Sequence, residues 1–235
     1  LRSLNPHLKY PALPDPRVLP ILGYLYQLER AQWMAPAQHR ALIFSQLKVL
    51  LSAAFETVPY YREALGNAQF NPTGAFDEAV WAQIPILTRK SMQEQGKRLL
   101  STAIPQVMQP FKQTKSSGST GMPVEVFQPA TKMPMMYATA ILEPLIHGAN
   151  FGGKTASIRL IRGEGVGTSP RTAPDWGAPT SVLLETGPSV TLPSEVDPEQ
   201  QADWVIREDP QLLLMFPSNL EALLPILKAR GAELP

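Results

Sequence analysis

Twenty-five of the 235 residues are proline, roughly twice the ordinary share of about 5%. Each proline removes a backbone donor and disfavours the interior of a helix or a central strand. A chain so punctuated is not a coiled coil or a bundle of a few long helices. It is read as many short elements with hard stops between them. Five prolines, Pro6, Pro11, Pro14, Pro16 and Pro20, fall in the first twenty residues. That stretch predicts an extended arm laid over a domain surface.

The rest of the composition excludes whole classes. Hydrophobic residues make up 44%, which is too many for a disordered chain. Lys plus Arg exceed Asp plus Glu by 21 to 20, and no basic block exists, so the chain points to no nucleic-acid partner. There is no cysteine, which removes disulfides, thiolate metal sites and a thiol nucleophile together. It fits a reducing, cytoplasmic setting. His7, His39 and His147 lie far apart and give no metal-binding spacing. No run of about 18 apolar residues predicts a membrane span, and the first residues lack the pattern of a signal peptide. A chain beginning at Leu1 leads us to expect trimming upstream.

Periodicity divides the chain. Residues 21–34, 37–57, 60–65, 76–83 and 89–99 read as helices; Asp77 lies near the start of the fourth and Thr88 is placed to cap the fifth. The pattern then changes to alternation around Val107, Gln109 and Phe111, and again around Val124, Val126 and Gln128, predicting two strands. Residues 131–147 read as a helix capped by Thr131 and closed by Gly148. Beyond it come a strand at 155–161, a loop at 163–179 and a strand at 180–184. A helix at 198–206 capped by Asp197, a strand at 212–216 and a helix at 219–229 capped by Ser218 complete the chain. Alternating helix and strand predicts an α/β fold with a mostly parallel sheet. The expected organisation is a proline-rich arm at 1–20, a mainly helical region at 21–100 and an α/β nucleotide-binding subdomain at 101–235.

The strongest chemical signal lies between the first two strands. Ser116, Ser117, Gly118, Ser119, Thr120 and Gly121 put four hydroxyls and two glycines in one short loop. Glycine lets backbone N–H groups turn inward and approach a ligand, and successive inward N–H groups hold anions. Hydroxyls add donors for phosphate oxygens. Lys115 adds a positive charge at one edge, and Lys112 is a second candidate. The loop is not a Walker P-loop, because Met122 and Pro123 and then a strand follow it instead of a Lys and a helix. Composition alone leaves open a polar hairpin loop with no ligand.

The stretch from Lys115 to Pro123 resembles the phosphate-binding loop of the adenylate-forming enzymes, the superfamily of acyl- and aryl-CoA ligases, luciferases and peptide-synthetase adenylation domains. Two further segments are similar to the phenylacetate-CoA ligase branch and to related proteins found with capsular polysaccharide genes. They are Thr57-Val-Pro-Tyr-Tyr-Arg62 with Ile84-Pro-Ile-Leu-Thr-Arg-Lys90, and Phe216-Pro-Ser-Asn-Leu220 with the helix after it. The resemblance runs from about residue 50 to the end of the chain and leaves the proline-rich arm unmatched. It implies ATP-dependent activation of a small-molecule carboxylic acid as an acyl-adenylate, followed by transfer to CoA or another acceptor. It implies magnesium beside ATP, and assigns Ser116, Ser117, Gly118, Ser119, Thr120 and Gly121 to the phosphates, with Lys115 at the edge.

Departures from the pattern carry their own expectations. Val124 stands where many members have Lys, as in the phenylacetate branch. Residues 163–177 match the branch's substrate-binding stretch poorly, so the resemblance names no acyl substrate. The family's Tyr-Gly-x-Thr-Glu segment, ribose-binding Asp and catalytic Lys would come beyond Pro235. The chain is therefore expected to be the first portion of an enzyme, inactive alone, with its catalytic residues unassigned. The alternative is a non-catalytic binding or scaffold module that keeps the fold; a third reading is an unrelated phosphate-binding α/β protein.

Several other residues draw notice. Gly163, Gly165 and Gly167 follow a strand, but Pro170 and Pro174 forbid the helix a dinucleotide site requires. Trp176 is read as packing its loop onto the core ahead of lining a pocket, His147 as a helix end, and Tyr60 and Tyr61 as packing residues. Met133, Met135 and Met136 are read as core or pocket wall. Arg159 and Arg162 sit where a strand end meets solvent or an anion. The Leu- and Met-rich early helices fit a homodimer face as well as a core.

Overall fold

The computed structural model describes residues 1–115, 123–161 and 168–232. The fold is α/β, with a helical N-terminal region, a two-stranded hairpin and a four-stranded sheet flanked by helices. The chain divides into two compact units, Glu29–Met133 and Leu1–Leu28 with Pro134–Pro235. Helix α1 (Leu19–Ala31) begins in the second unit and ends in the first.

In the unit Glu29–Met133, proline sets the helix boundaries. Pro36 opens α2 (Pro36–Thr57) at a position whose N–H would lack a partner in any case. Val58 is extended before Pro59, as the pre-proline position requires, and Pro59 opens α3 (Pro59–Asn67). Leu51, Leu65 and Phe70 are buried together, with Phe55, Tyr61, Phe76, Val80 and Ile84 packed around them. Phe70 meets Phe55 and Phe76 edge-to-face, with ring centres 6.3 and 5.9 Å apart, an arrangement favoured by the ring quadrupoles. The Asp77 carboxylate accepts the Val80 N–H at 3.0 Å and caps α4 (Glu78–Gln83). Thr88 accepts the Ser91 N–H at 3.0 Å and caps α5 (Arg89–Gln95). The helix expected over 89–99 stops at Gln95, because Gly96 turns to φ +48° and the last residues form a 3₁₀ turn. Among the described residues no single helix is long and apolar enough to cross a membrane; α2 and α3 together pass by length and composition but are bent by 116°.

The unit ends in a hairpin, β1 (Phe111–Lys115) and β2 (Glu125–Pro129), paired antiparallel from Phe111↔Pro129 to Lys115↔Glu125. The strand expected around 107–111 lies later in the chain. Residues 106–108 form a 3₁₀ turn, and alternation begins at Phe111.

The second unit holds most of α6 (Lys132–Ile146) and a sheet of β3 (Thr155–Arg159), β4 (Arg171–Ala173), β5 (Ser189–Pro193) and β6 (Leu212–Met215), in the order β4-β5-β3-β6. β3 runs parallel to both β5 and β6, and β4 is antiparallel to β5. α7 (Pro198–Glu208) and α8 (Pro217–Ala229) pack on one face. That face buries Ala156, Ile158, Val190 and Leu192 against Ala202, Trp204, Val205, Leu223 and Leu227. Strand alternation sends Thr155, Ser157, Arg159, Ser189 and Thr191 to the other face. Arg230, after α8, is paired with Glu199 and Asp203 on α7. A second cluster joins Ile21 of α1, Ala138 and Ile141 of α6, and Leu183.

Three sequence expectations fail here, each for a physical reason. Residues 180–184 are not a strand: Thr180–Val182 is a 3₁₀ turn, and Leu183 is apolar because it packs beside Ile21 and Ile141. The strand next to β3 is β5, whose buried Val190 and Leu192 alternate with half-buried Ser189 and Thr191. Its flanking Pro188 and the terminal Pro193 disguise it as a loop. The 163–179 loop contains β4. α8 opens on Pro217 with Phe216 before it, and no side chain caps it, so Ser218 is not its cap. Pro144 and Pro225 lie inside α6 and α8, so the stops are softer there than proline content predicts. The proline-rich arm is held by backbone and ionic contacts. Arg2 N–H donates to Leu183 O at 2.8 Å, its guanidinium to Ser181 O at 2.8 Å, and Lys9 pairs with Glu185 at 2.6 Å.

Candidate functional site

The β1–β2 hairpin carries the loop singled out in the sequence. Its strands are short and mostly exposed, so backbone pairing and cross-strand side chains hold it. The Gln128 amide donates to Thr114 Oγ1 at 3.0 Å, and Thr114 Oγ1 donates to Val126 O at 3.3 Å. At the open end Lys115 Nζ reaches Glu125 Oε1 at 2.7 Å and Gln113 donates to Glu125 Oε2 at 2.7 Å. The hydrogen bond from Lys115 holds the Glu125 carboxyl below its ordinary range, aided by the lysine's charge and by Gln113. Next to Glu125, Val124 is buried.

Ser116, Ser117, Gly118, Ser119, Thr120 and Gly121 lie outside the described residues. The described flanks bring the two ends of that segment together: Lys115 and Glu125 are registered partners, with 116–124 spanning between them. Lys115 is therefore engaged by a carboxylate at the mouth of the hairpin. Lys112 pairs in register with Gln128, and alternation sends it to the opposite face from Lys115. Among the described residues no group of three His, Asp or Glu is placed to hold a metal ion. Magnesium is commonly held by one or two carboxylates and the substrate's own phosphates.

The remaining singled-out residues separate clearly. Trp176 packs as expected: its Nε1–H donates to Gly153 O at 2.9 Å and its ring lies 5.3 Å from that of Phe151. Tyr61 packs against the Leu51, Leu65 and Phe70 cluster, where burial raises its pKa, and Tyr60 stacks edge-on against it. His147 follows the end of α6, its N–H bonded to Glu143 O at 3.2 Å. Met133, Met135 and Met136 are between 40% and 46% exposed and so are not core residues. Gly163, Gly165, Gly167 and Arg162 lie outside the described residues.

Sequence reading missed one grouping. Arg171 on β4 stands opposite Thr191 on β5, and it lines the same cleft as Arg159 at the end of β3. A three-residue strand between Pro170 and Pro174 is too short to show a period, so nothing in the sequence joined the two arginines.

No protein-family model and no curated protein matches the chain. Twelve chains of solved structures match it. One is a crystal structure of 2-hydroxyisobutyryl-CoA ligase in complex with 2-HIB-AMP and CoA in the thioesterification state. It is 17% identical with a TM-score of 0.55, over 85% of this chain and 41% of that one. A second, an open conformation of 2-hydroxyisobutyryl-CoA ligase with 2-HIB-AMP and CoA, is 15% identical with the same TM-score, over 85% of this chain and 45% of that one. This chain thus spans less than half the length of those ligase chains. It has the fold of part of a CoA ligase whose complexes hold an acyl-adenylate.

Proposed function

We propose that this chain supplies the phosphate-holding portion of an ATP-dependent adenylate-forming ligase of the phenylacetate-CoA ligase type. The observation that carries the reading is a hydroxyl- and glycine-rich segment spanning the mouth of an antiparallel hairpin, in a chain with part of the CoA-ligase fold. Ser116, Ser117, Ser119 and Thr120 would donate to phosphate oxygens, and Gly118 and Gly121 would let the backbone approach them. The side chains of such a loop act by positioning and by stabilising the charge that gathers on a leaving pyrophosphate. Magnesium, bound with the nucleotide, would neutralise part of that charge. The donor set, hydroxyl oxygens and backbone N–H groups, suits phosphate. The Lys115–Glu125 pair serves the reading by fixing where the segment leaves and re-enters the hairpin. The substrate would be a small-molecule carboxylic acid, and CoA the acceptor.

Calorimetric titration of the protein with magnesium-ATP and with pyrophosphate tests the reading. Binding is expected in the unaltered chain and is expected to be lost in Ser119→Ala/Thr120→Ala. The same titration curve in the double variant overturns the assignment.

A further inference from the structure

The face of the four-stranded sheet opposite α7 and α8 holds a polar grouping of its own. A cleft of about 500 Å³ opens there, inside the range of roughly 300–1,000 Å³ typical of small-molecule sites. It lies at the carboxyl end of β3, and open α/β sheets bind ligands outside the carboxyl ends of their strands. Arg159 and Arg171 both line it. Arg171 is registered with Thr191 on one side of β5, and Arg159 with Pro193 on the other. Two strand spacings across and two residues along give about 12 Å between the backbones, a span two extended arginine side chains close onto one small group.

The charge around the cleft is one-sided. Among the described residues its lining contains two guanidinium groups and no Asp or Glu. Among the described residues neither arginine side chain has an ion-pair or hydrogen-bond partner, although ten other Lys or Arg side chains here are paired with carboxylates. The hydroxyls complete the arrangement. Thr191 Oγ1 and Ser157 Oγ are 2.9 Å apart; when Ser157 donates in that bond, the Thr191 proton is free for the cleft. Ser189 gives its proton to Asp175 O at 2.7 Å, so its oxygen does not compete as a donor.

We propose that Arg159 and Arg171, with the Thr191 hydroxyl, bind a small oxyanion carrying two negative charges, either a phosphate monoester or a dicarboxylate. Guanidinium forks match such groups in geometry and keep their charge at every physiological pH. The proposal rests on residues of the four-stranded sheet alone and does not depend on the ligase reading.

Two titrations test it. Succinate is titrated into the unaltered chain, and inorganic phosphate into the Ser119→Ala/Thr120→Ala chain, where the loop no longer competes for phosphate. Binding of one or both is expected, with acetate at least about tenfold weaker than the better of them. Arg159→Gln and Arg171→Gln are each expected to weaken that ligand by about tenfold, the loss of one charge-assisted bond, and the pair together to abolish binding. Both side chains are exposed, so the variants are expected to keep the native melting temperature. The stronger of succinate and phosphate names the source of the oxyanion. Failure of both to bind, equal binding of acetate, or undiminished binding in the double Arg variant overturns the proposal. If magnesium-ATP binding survives in Ser119→Ala/Thr120→Ala, the loop assignment fails; that outcome is read separately from the arginine variants with succinate.

Discussion

The four-stranded sheet and the β1–β2 hairpin are both built from short alternating strands, and they are held by different forces. In the sheet, one side of β3 and β5 is wholly buried under α7 and α8. In the hairpin no strand residue is buried, and Val126 and Phe127 are each 43% exposed. The first is stabilised by apolar area removed from water, at about 25 cal/mol per Å². The second is held by a ladder of backbone bonds and polar cross-strand pairs, each worth well under about 1 kcal/mol. Packing specifies the sheet, while backbone pairing and polar cross-strand contacts specify the hairpin.

The largest expected effect measures that contrast directly. Leu223, fully buried between α8 and the sheet, is expected to cost about 2–5 kcal/mol as Leu223→Ala in chemical denaturation. Phe127→Ala removes a larger side chain and is expected to cost under about 1 kcal/mol, because nearly half of it already meets water. Equal costs would show that the hairpin belongs to a packed core, and the comparison would break.

Gly187→Ala comes next. A methyl group at Gly187 would overlap the carbonyl oxygens of Gly152 and Gly153, and Gly187 N–H donates to Phe151 O at 2.7 Å just before β5. Backbone cannot rotate aside as a side chain can, so a loss of about 1–3 kcal/mol is expected. Gly66→Ala, where nothing lies within 4 Å, is the control and is expected to be neutral or stabilising within α3. Similar melting temperatures for the two variants would remove the close approach from the account.

A smaller effect belongs to the helix that covers the sheet. Asp197 accepts the Glu199 N–H at 2.9 Å and caps α7, so Asp197→Ala is expected to lower stability by about 1 kcal/mol. The cap is exposed to solvent, unlike the core it supports, and an effect as large as that of Leu223→Ala would mean that the carboxylate does more than cap.

What could be read in the sequence follows the same division of forces. Caps at Thr88 and Asp197 were legible because each acts on its own neighbours in the chain. β6 was legible as a compact apolar run. β5 was not, because two of its five residues are hydroxyls facing the open side of the sheet and proline bounds it. The stretch around Leu183 misled for the opposite reason: its apolar residues serve a contact with α1 and α6 that is distant in sequence. The hydroxyl loop was visible as a composition. The pairing of Lys115 with Glu125 and the placing of Arg159 and Arg171 on one cleft depend on strand register, which no local pattern carries.

The smallest effect sharpens the hairpin side of the comparison. Glu125 titrates below its ordinary value of 4.5, first because Lys115 hydrogen-bonds to it, then because of that lysine's charge. A carboxylate with a depressed folded pKa adds stability above its unfolded value. That contribution is lost as pH falls through the folded one. Acidification should therefore release Lys115 from the mouth of the hairpin before it disturbs the sheet core, which holds no ionisable side chain. The check is carbon-detected NMR of the Glu125 carboxyl. Its midpoint is expected below 4.5 in the unaltered chain and to rise toward 4.5 in Lys115→Gln, with a lesser rise in Gln113→Leu, matching the order of causes. If Lys115→Gln leaves the midpoint where it was, the pair does not close the hairpin, and the segment between residues 115 and 125 is held by backbone pairing alone.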